Sequence, residues 1–175
     1  MKNIKVLKNP KTDYYLQFKS QILSMDFPWF FSPTNTTKGW DPYDNFGFYF
    51  HSMLVRPIPN NPYPRQNSNY LEAAIYTIQE IFDFNDIKFD TFLRICANAV
   101  HPTQSRLLSV PHQDHENLPH KNLIIYLSDC DGGETNVEGD EFFGKEDDII
   151  TWDSQHHNYR PPLTQRRIVL VATYL

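Results

Sequence analysis

Hydrophobic spacing along the chain changes character near position 90. In "NSNYLEAAIYTIQEIFDF" the residues Leu71, Ala74, Ile75, Ile78, Ile81 and Phe82 recur at helical intervals, so a single face is apolar. Asn69 and Glu72 stand at capping-box separation just before that run and predict where the helix begins. A weaker copy of the pattern comes earlier. Thr12 and Asp13 occupy capping positions, and Tyr15, Phe18 and Ile22 share one face of a helix ending near "MDFPWF". The other apolar runs are short, aromatic or β-branched. They predict strands over 46–55, 91–100, 106–110, 122–128, 148–152 and 166–175. "DCDGGET" has the Asp-Gly-Gly chemistry of a tight turn. "RPIPNNPYP" (56–64) predicts a semi-rigid surface loop, because proline removes ladder donors.

Helices thus come mainly first and strands mainly second. The C-terminal half shows no helical periodicity between its strands, which argues against parallel βαβ winding. The economical architecture is mainly β with N-terminal helices, the two helices packed on one face of a β-sandwich or jelly-roll barrel.

Composition narrows the function classes. A chain of 175 residues suits one domain, 1–175, with supporting helices and strands over 1–90 and the core sheet over 91–175. Hydrophobic residues at 40% and aromatics at 15% are too rich for disorder. A net charge of −5 with no basic cluster argues against tracking a nucleic-acid backbone. Apolar stretches such as "RRIVLVATYL" are too short to span a bilayer, and "MKNIKVLKNPK" lacks the apolar core of a signal peptide. Cys96 and Cys130 form no CxxC pair, so an intracellular, reducing, cytoplasmic location is expected.

Candidate chemistry concentrates in "SVPHQDHENLPH", residues 109–120. Residues two apart in an extended chain point the same way, so His112 and Asp114 converge while Gln113 and His115 diverge from them. An imidazole beside a carboxylate supplies two ligands of the facial triad that holds non-haem Fe(II) with positions left open. "TWDSQHHNYRPPLTQRRIVL" offers the missing histidine, and the same parity allows only one of His156 and His157 to face a metal. It also allows only one of Arg166 and Arg167 to point inward. An inward arginine on an apolar strand is costly unless it meets an anion, and a dicarboxylate cosubstrate would be one. The bland alternatives are a polar turn for His112 and Asp114, a surface position for the distal histidine and a strand-end charge for the arginine. His115 and His120 are expected to be solvated or supporting groups, and His51 and His101 structural or exposed.

His112-x-Asp114, a distal histidine and an arginine ten residues after it resemble the signature of the 2-oxoglutarate/Fe(II)-dependent oxygenase superfamily. The order and spacing are most similar to its prolyl 4-hydroxylase-like branch, in which a proline follows the distal histidine by four positions. Here that is Pro161, which favours His157, and the distance to the terminal "VATYL" favours Arg167. "LIIYLSDCDGGETNV" is similar to the family's "YLN…GG.t" strand and turn and aligns Tyr126 with a tyrosine that binds cosubstrate. The matching region is 93–175, and "MDFPWFFSP" with "FYFHSML" resembles small phage-borne members, which implies expression from a virus in a host cell.

The resemblance implies a double-stranded β-helix with Fe(II) on His112, Asp114 and His157, and 2-oxoglutarate anchored by Arg167 and Tyr126. O2 would be the oxidant and ascorbate a supporting reductant. The implied reaction is hydroxylation of a C–H bond, first of a prolyl residue in a peptide or protein, with release of succinate and CO2. Loops 33–45 and 56–69 would form a lid over a peptide or small-molecule substrate. Two departures stand out. Ser128 replaces the usual asparagine, and "HPTQSRLLSVP" lacks the Tyr-x-x-G pattern on the substrate side. Two other classes stay open: a non-catalytic jelly-roll metal- or ligand-binding module, and a cupin-type metal enzyme. The metallo-β-lactamase pattern HxHxDH fails at Val110. A purely structural barrel has no need of an inward Arg167, and tight zinc without iron-dependent activity would mark the metal-enzyme alternative.

Overall fold

The computed structural model describes residues 2–34, 47–103 and 107–175. Its elements run β1 (Lys5–Leu7), α1 (Asp13–Leu23), β2 (Phe30–Ser32), β3 (Phe48–Val55), β4 (Arg65–Gln66) and α2 (Leu71–Phe84). They continue with β5 (Phe92–Val100), β6 (Lys121–Tyr126), β7 (Thr135–Val137), β8 (Asp140–Phe142), β9 (Ile149–Asp153), β10 (His157–Tyr159) and β11 (Arg167–Tyr174). The large antiparallel sheet has the order β1-β9-β6-β11-β5-β3-β2, with β4 beside β3, and the small one the order β10-β7-β8.

Strand parity sorts the core into two compartments. Leu123, Ile125, Ile149, Leu170 and Ala172 pack on one face with Tyr15, Phe18 and Ile22 of α1 and Ala74, Ile78 and Phe82 of α2. Their neighbours Ile124, Tyr126, Ile150, Val169 and Val171 point the other way and meet Val137 of the small sheet, with Phe142 packed alongside. One face of the large sheet is therefore roofed by helices and the other by the small sheet, which encloses a barrel interior. Burying a side chain such as Ile22 contributes about 1.5–3 kcal/mol, so three on one helix face suffice to dock α1.

Local chemistry fixes the helix ends. Thr12 Oγ1 accepts from Tyr15 N at 3.1 Å and donates to Glu80 Oε2 at 2.6 Å, so the cap of α1 also ties it to α2. The expected capping box of α2 does not form. Tyr70 is its N-cap, without a side-chain cap bond, and Ser68 Oγ takes the Tyr70 N–H at 3.1 Å instead. The strand expected over 106–110 is also corrected, since residues 107–110 lie in no strand. Proline at 111 removes a donor there, and Ser109 and His112 bond across to β10 one residue at a time. Arg106 and positions 35–45 of the proposed lid fall outside the described residues.

Candidate metal centre

Three pieces of chain carry the histidines and the aspartate. His112 and His157 form an isolated antiparallel bridge in which each N–H donates to the other's carbonyl at 3.0 Å. Residues paired in this way present their side chains on one face, and the two imidazole centroids lie 4.5 Å apart. Upstream, Asn158 Nδ2 donates to the Ser109 carbonyl at 3.0 Å and Tyr159 N to Ser109 Oγ at 3.1 Å, which continues the attachment of this loop to β10. Trp152, at the end of β9, stands edge-on to His157 at 5.1 Å. Asp114 is buried, with its Oδ2 3.6 Å from His157 Nε2.

Hydrogen bonding sets the tautomers. His112 Nδ1 lies 3.2 Å from the Val110 carbonyl and His157 Nδ1 3.3 Å from the Gln155 carbonyl. A protonated Nδ1 in each ring leaves Nε2 as the electron-pair donor, the arrangement that metal-binding histidines adopt. Burial lowers the pKa of both rings, that of His157 to about 4 despite the opposing Asp114 carboxylate, so both are neutral donors near pH 7. For Asp114 burial works upward, but Arg94 foremost, then His157, Arg56 and His112, outweigh it and hold the carboxyl well below its ordinary range.

Two neutral imidazoles and one ionised carboxylate fit a divalent metal in kind. Among the described residues, however, no three His, Cys, Asp or Glu side chains are already gathered around one point. Asp114 is already engaged on one side. Its Oδ1 accepts from Arg94 Nη1 at 2.8 Å and from Arg56 Nη2 at 2.9 Å, and Arg56 Nη1 also donates to the Asp114 carbonyl at 2.6 Å. The sequence reading missed both arginines. A cavity of about 840 Å³ opens beside them, lined by Phe48, Phe50, Asn98 and Tyr159 together with His112 and Asp114.

Arg167 and Tyr126 meet elsewhere in the barrel interior. Arg167 is buried, its Nε donating to the Gly133 carbonyl at 2.9 Å and its Nη2 to Thr135 Oγ1 at 2.8 Å. Tyr126 is fully buried, and its hydroxyl shares Thr135 Oγ1 at 2.8 Å. The guanidinium carbon sits 5.2 Å from the ring centres of both Tyr126 and Tyr159. Gly133 makes this possible, because its φ is +71° and a Cβ there would lie 3.0 Å from Arg167 Cδ. Thr135 was present in "GGET" but had no role assigned to it in the sequence.

The alternatives take other positions. His156 is exposed and lines the same cavity, and Arg166 is exposed. His115 bonds Thr173 Oγ1 at 2.9 Å and packs edge-on against His120 at 4.8 Å. His51 is buried between the Pro28 carbonyl and Ser68 Oγ, both at 2.7 Å, and His101 is exposed.

No protein-family model and no curated protein matches the chain. Solved structures do match in fold. A 2OG-Fe(II) oxygenase family oxidoreductase from Burkholderia pseudomallei superposes at TM-score 0.61 over 95% of this chain and 92% of its own, with 15% identity. A prolyl hydroxylase from Trichoplax adhaerens, solved with a hypoxia inducible factor peptide fragment, gives 0.62 over 99% and 83% with 13% identity. A Pseudomonas putida prolyl-4-hydroxylase gives 0.56 over 98% and 92%, also with 13% identity. The chain therefore has the jelly-roll fold of the 2OG-Fe(II) oxygenases, prolyl hydroxylases among them. Among the described residues no helix is long and apolar enough to cross a membrane.

Proposed function

We propose that the protein is an Fe(II)- and 2-oxoglutarate-dependent dioxygenase that hydroxylates a C–H bond, with a prolyl residue of a peptide or protein as the first candidate substrate. The observation that carries this reading is the His112–His157 bridge. It sets two neutral imidazoles side by side next to a buried ionised Asp114, in the fold where such a triad is at home. His112, Asp114 and His157 would hold the iron, which with O2 and 2-oxoglutarate supplies the oxidising power, succinate and CO2 being the co-products. Asp114 offsets part of the metal charge, and the two histidines stay neutral because they are buried. Arg167 would take the distal carboxylate of 2-oxoglutarate, with the Tyr126 and Thr135 hydroxyls alongside. The cavity rings Phe48, Phe50 and Tyr159 give an apolar seat for a prolyl ring, and Asn98 offers an amide to a peptide backbone.

A second reading rests on the two arginines. If Asp114 serves only as their counter-ion, the chain is a non-catalytic jelly-roll module. Anaerobic titration with Fe(II) and then 2-oxoglutarate, followed by visible absorption, separates the two. The oxygenase gives a charge-transfer band that needs both additions, vanishes in Asp114→Ala and requires far more 2-oxoglutarate in Arg167→Ala. A folded wild type without a band supports the module.

A further inference from the structure

Arg56 and Arg94 approach Asp114 from two different strands and bond the same oxygen. Arg94 projects from the first half of β5, and Arg56 follows the end of β3. Both reach Oδ1, while Oδ2 is left facing His157. Arg56 additionally grips the Asp114 main-chain carbonyl, so the loop and its side chain are fixed together. A carboxylate with one oxygen occupied by two guanidinium donors has only the other oxygen to offer.

On the reading that His112, Asp114 and His157 hold a metal, we propose that Arg56 and Arg94 are positioning residues that confine Asp114 to monodentate ligation through Oδ2. The consequence is a coordination count. One donor atom from each of three side chains leaves an octahedral ion three positions, enough for a two-atom chelate and one further ligand. A chelating Asp114 would remove one of them. The two cations also cost something, since they stand close to a site for a third. Alignment of the carboxylate and repulsion of the metal therefore predict opposite signs for their removal, which makes the role measurable. Groups that orient a metal ligand change affinity by about 10–100-fold when removed. The two guanidiniums share one carboxylate, so the cluster keeps one net positive charge.

The test is Co(II) alone, titrated into metal-free wild type and into Arg94→Met, Arg94→Lys, Arg56→Met and Asp114→Ala, with visible d–d absorption as the readout and thermal melting as the control for folding. Positioning predicts that Co(II) binds Arg94→Met and Arg56→Met about ten-fold or more weakly than wild type. The bands of both Met variants should change shape as the freed oxygen joins the ion. Arg94→Lys should stay close to wild type, because one charged N–H to Oδ1 is retained. The side chain of Arg56 is 37% exposed, so Arg56→Met carries the test should Arg94→Met fail to fold. Equal affinity and an unchanged spectrum in both Met variants overturn the proposal, and tighter binding does so too, since it leaves repulsion as the only effect. A wild type that takes up no Co(II) instead overturns the metal-site reading itself.

Discussion

Replacing Gly144 with alanine tests the anchor around Tyr126 from a residue that touches no ligand. A Cβ at position 144 would lie 2.3 Å from Cε1 and Cζ of the Tyr126 ring and 2.5 Å from Cδ1. Carbon atoms settle at about 3.5–4.0 Å, so the ring must retreat by more than about 1 Å. Tyr126 has no free space to enter, being fully buried, and its hydroxyl is held at 2.8 Å by Thr135 Oγ1, which also takes Arg167 Nη2. Overpacking of this kind costs about 1–3 kcal/mol, and loss of the Tyr126–Thr135 hydrogen bond adds about 1 kcal/mol. The expected loss of about 2–4 kcal/mol lowers Tm by roughly 5–15 °C in a domain of this size. On the proposed function, 2-oxoglutarate affinity falls with it. Calorimetry on Gly144→Ala, Tyr126→Leu and the double variant supplies the decisive comparison, because leucine vacates the space that the new methyl needs. The alanine should cost much less in the Tyr126→Leu background, a coupling of about 0.5–3 kcal/mol. Gly139→Ala is the control: its φ is +92° with nothing within 4 Å of a Cβ, so its loss is backbone strain of about 1–2 kcal/mol. An equal Tm drop for Gly144→Ala in both backgrounds would refute the steric argument.

The α1 attachment gives a pH prediction. Burial pushes Asp147 up, but hydrogen bonds from Lys19, Tyr15 and Lys11 outweigh it and bring its carboxyl from 3.8 to about 2, with Glu146 as a second partner of Lys19. A folded pKa below the unfolded one adds stability that is full above pH 3.8 and lost as pH falls through about 2. Solvent screening reduces that contribution to about 1 kcal/mol. Wild-type Tm should therefore fall more steeply between pH 4 and 2 than that of Asp147→Asn, and parallel profiles would contradict the linkage. Among the paired histidines, His157→Ala should abolish Fe(II) uptake measured anaerobically, and His156→Ala should leave it intact. The reverse result would mean that the chain register at β10 is wrong.

Much of the fold was legible because strand parity and helical period are written in side chains. The alternation in "NLIIY" separates Leu123 and Ile125 from Ile124 and Tyr126, and those pairs do face opposite compartments. The small sheet was not legible. Its strands "TNV", "DEF" and "HNY" are three residues long and mostly polar, too short to show a period. Position 56 was hidden for another reason. It opens the proline-rich run "RPIPNNPYP", whose composition predicts a surface loop and gives no sign that its first side chain reaches back to Asp114.

Arg94 was legible and passed over. The rule that singled out Arg167, that a charge on an apolar strand requires a counter-charge, applies equally to the arginine in "TFLRICANAV". Taken together the two arginines say more than either alone. Arg94 and Asp114 compensate each other inside the barrel at 2.8 Å. Arg167 is 3% exposed and satisfies two donors with a carbonyl and a hydroxyl, yet no ion pair among the described residues reaches it. A buried guanidinium held by neutral oxygens is stabilised further by any anion that reaches it. Among the described residues, Arg167 thus has no acidic partner, whereas Arg56 and Arg94 share the carboxylate of Asp114. On the proposed function, a ligand with a carboxylate at one end and metal-binding oxygens at the other would neutralise Arg167 at its far end and leave the arginine contacts of Asp114 in place.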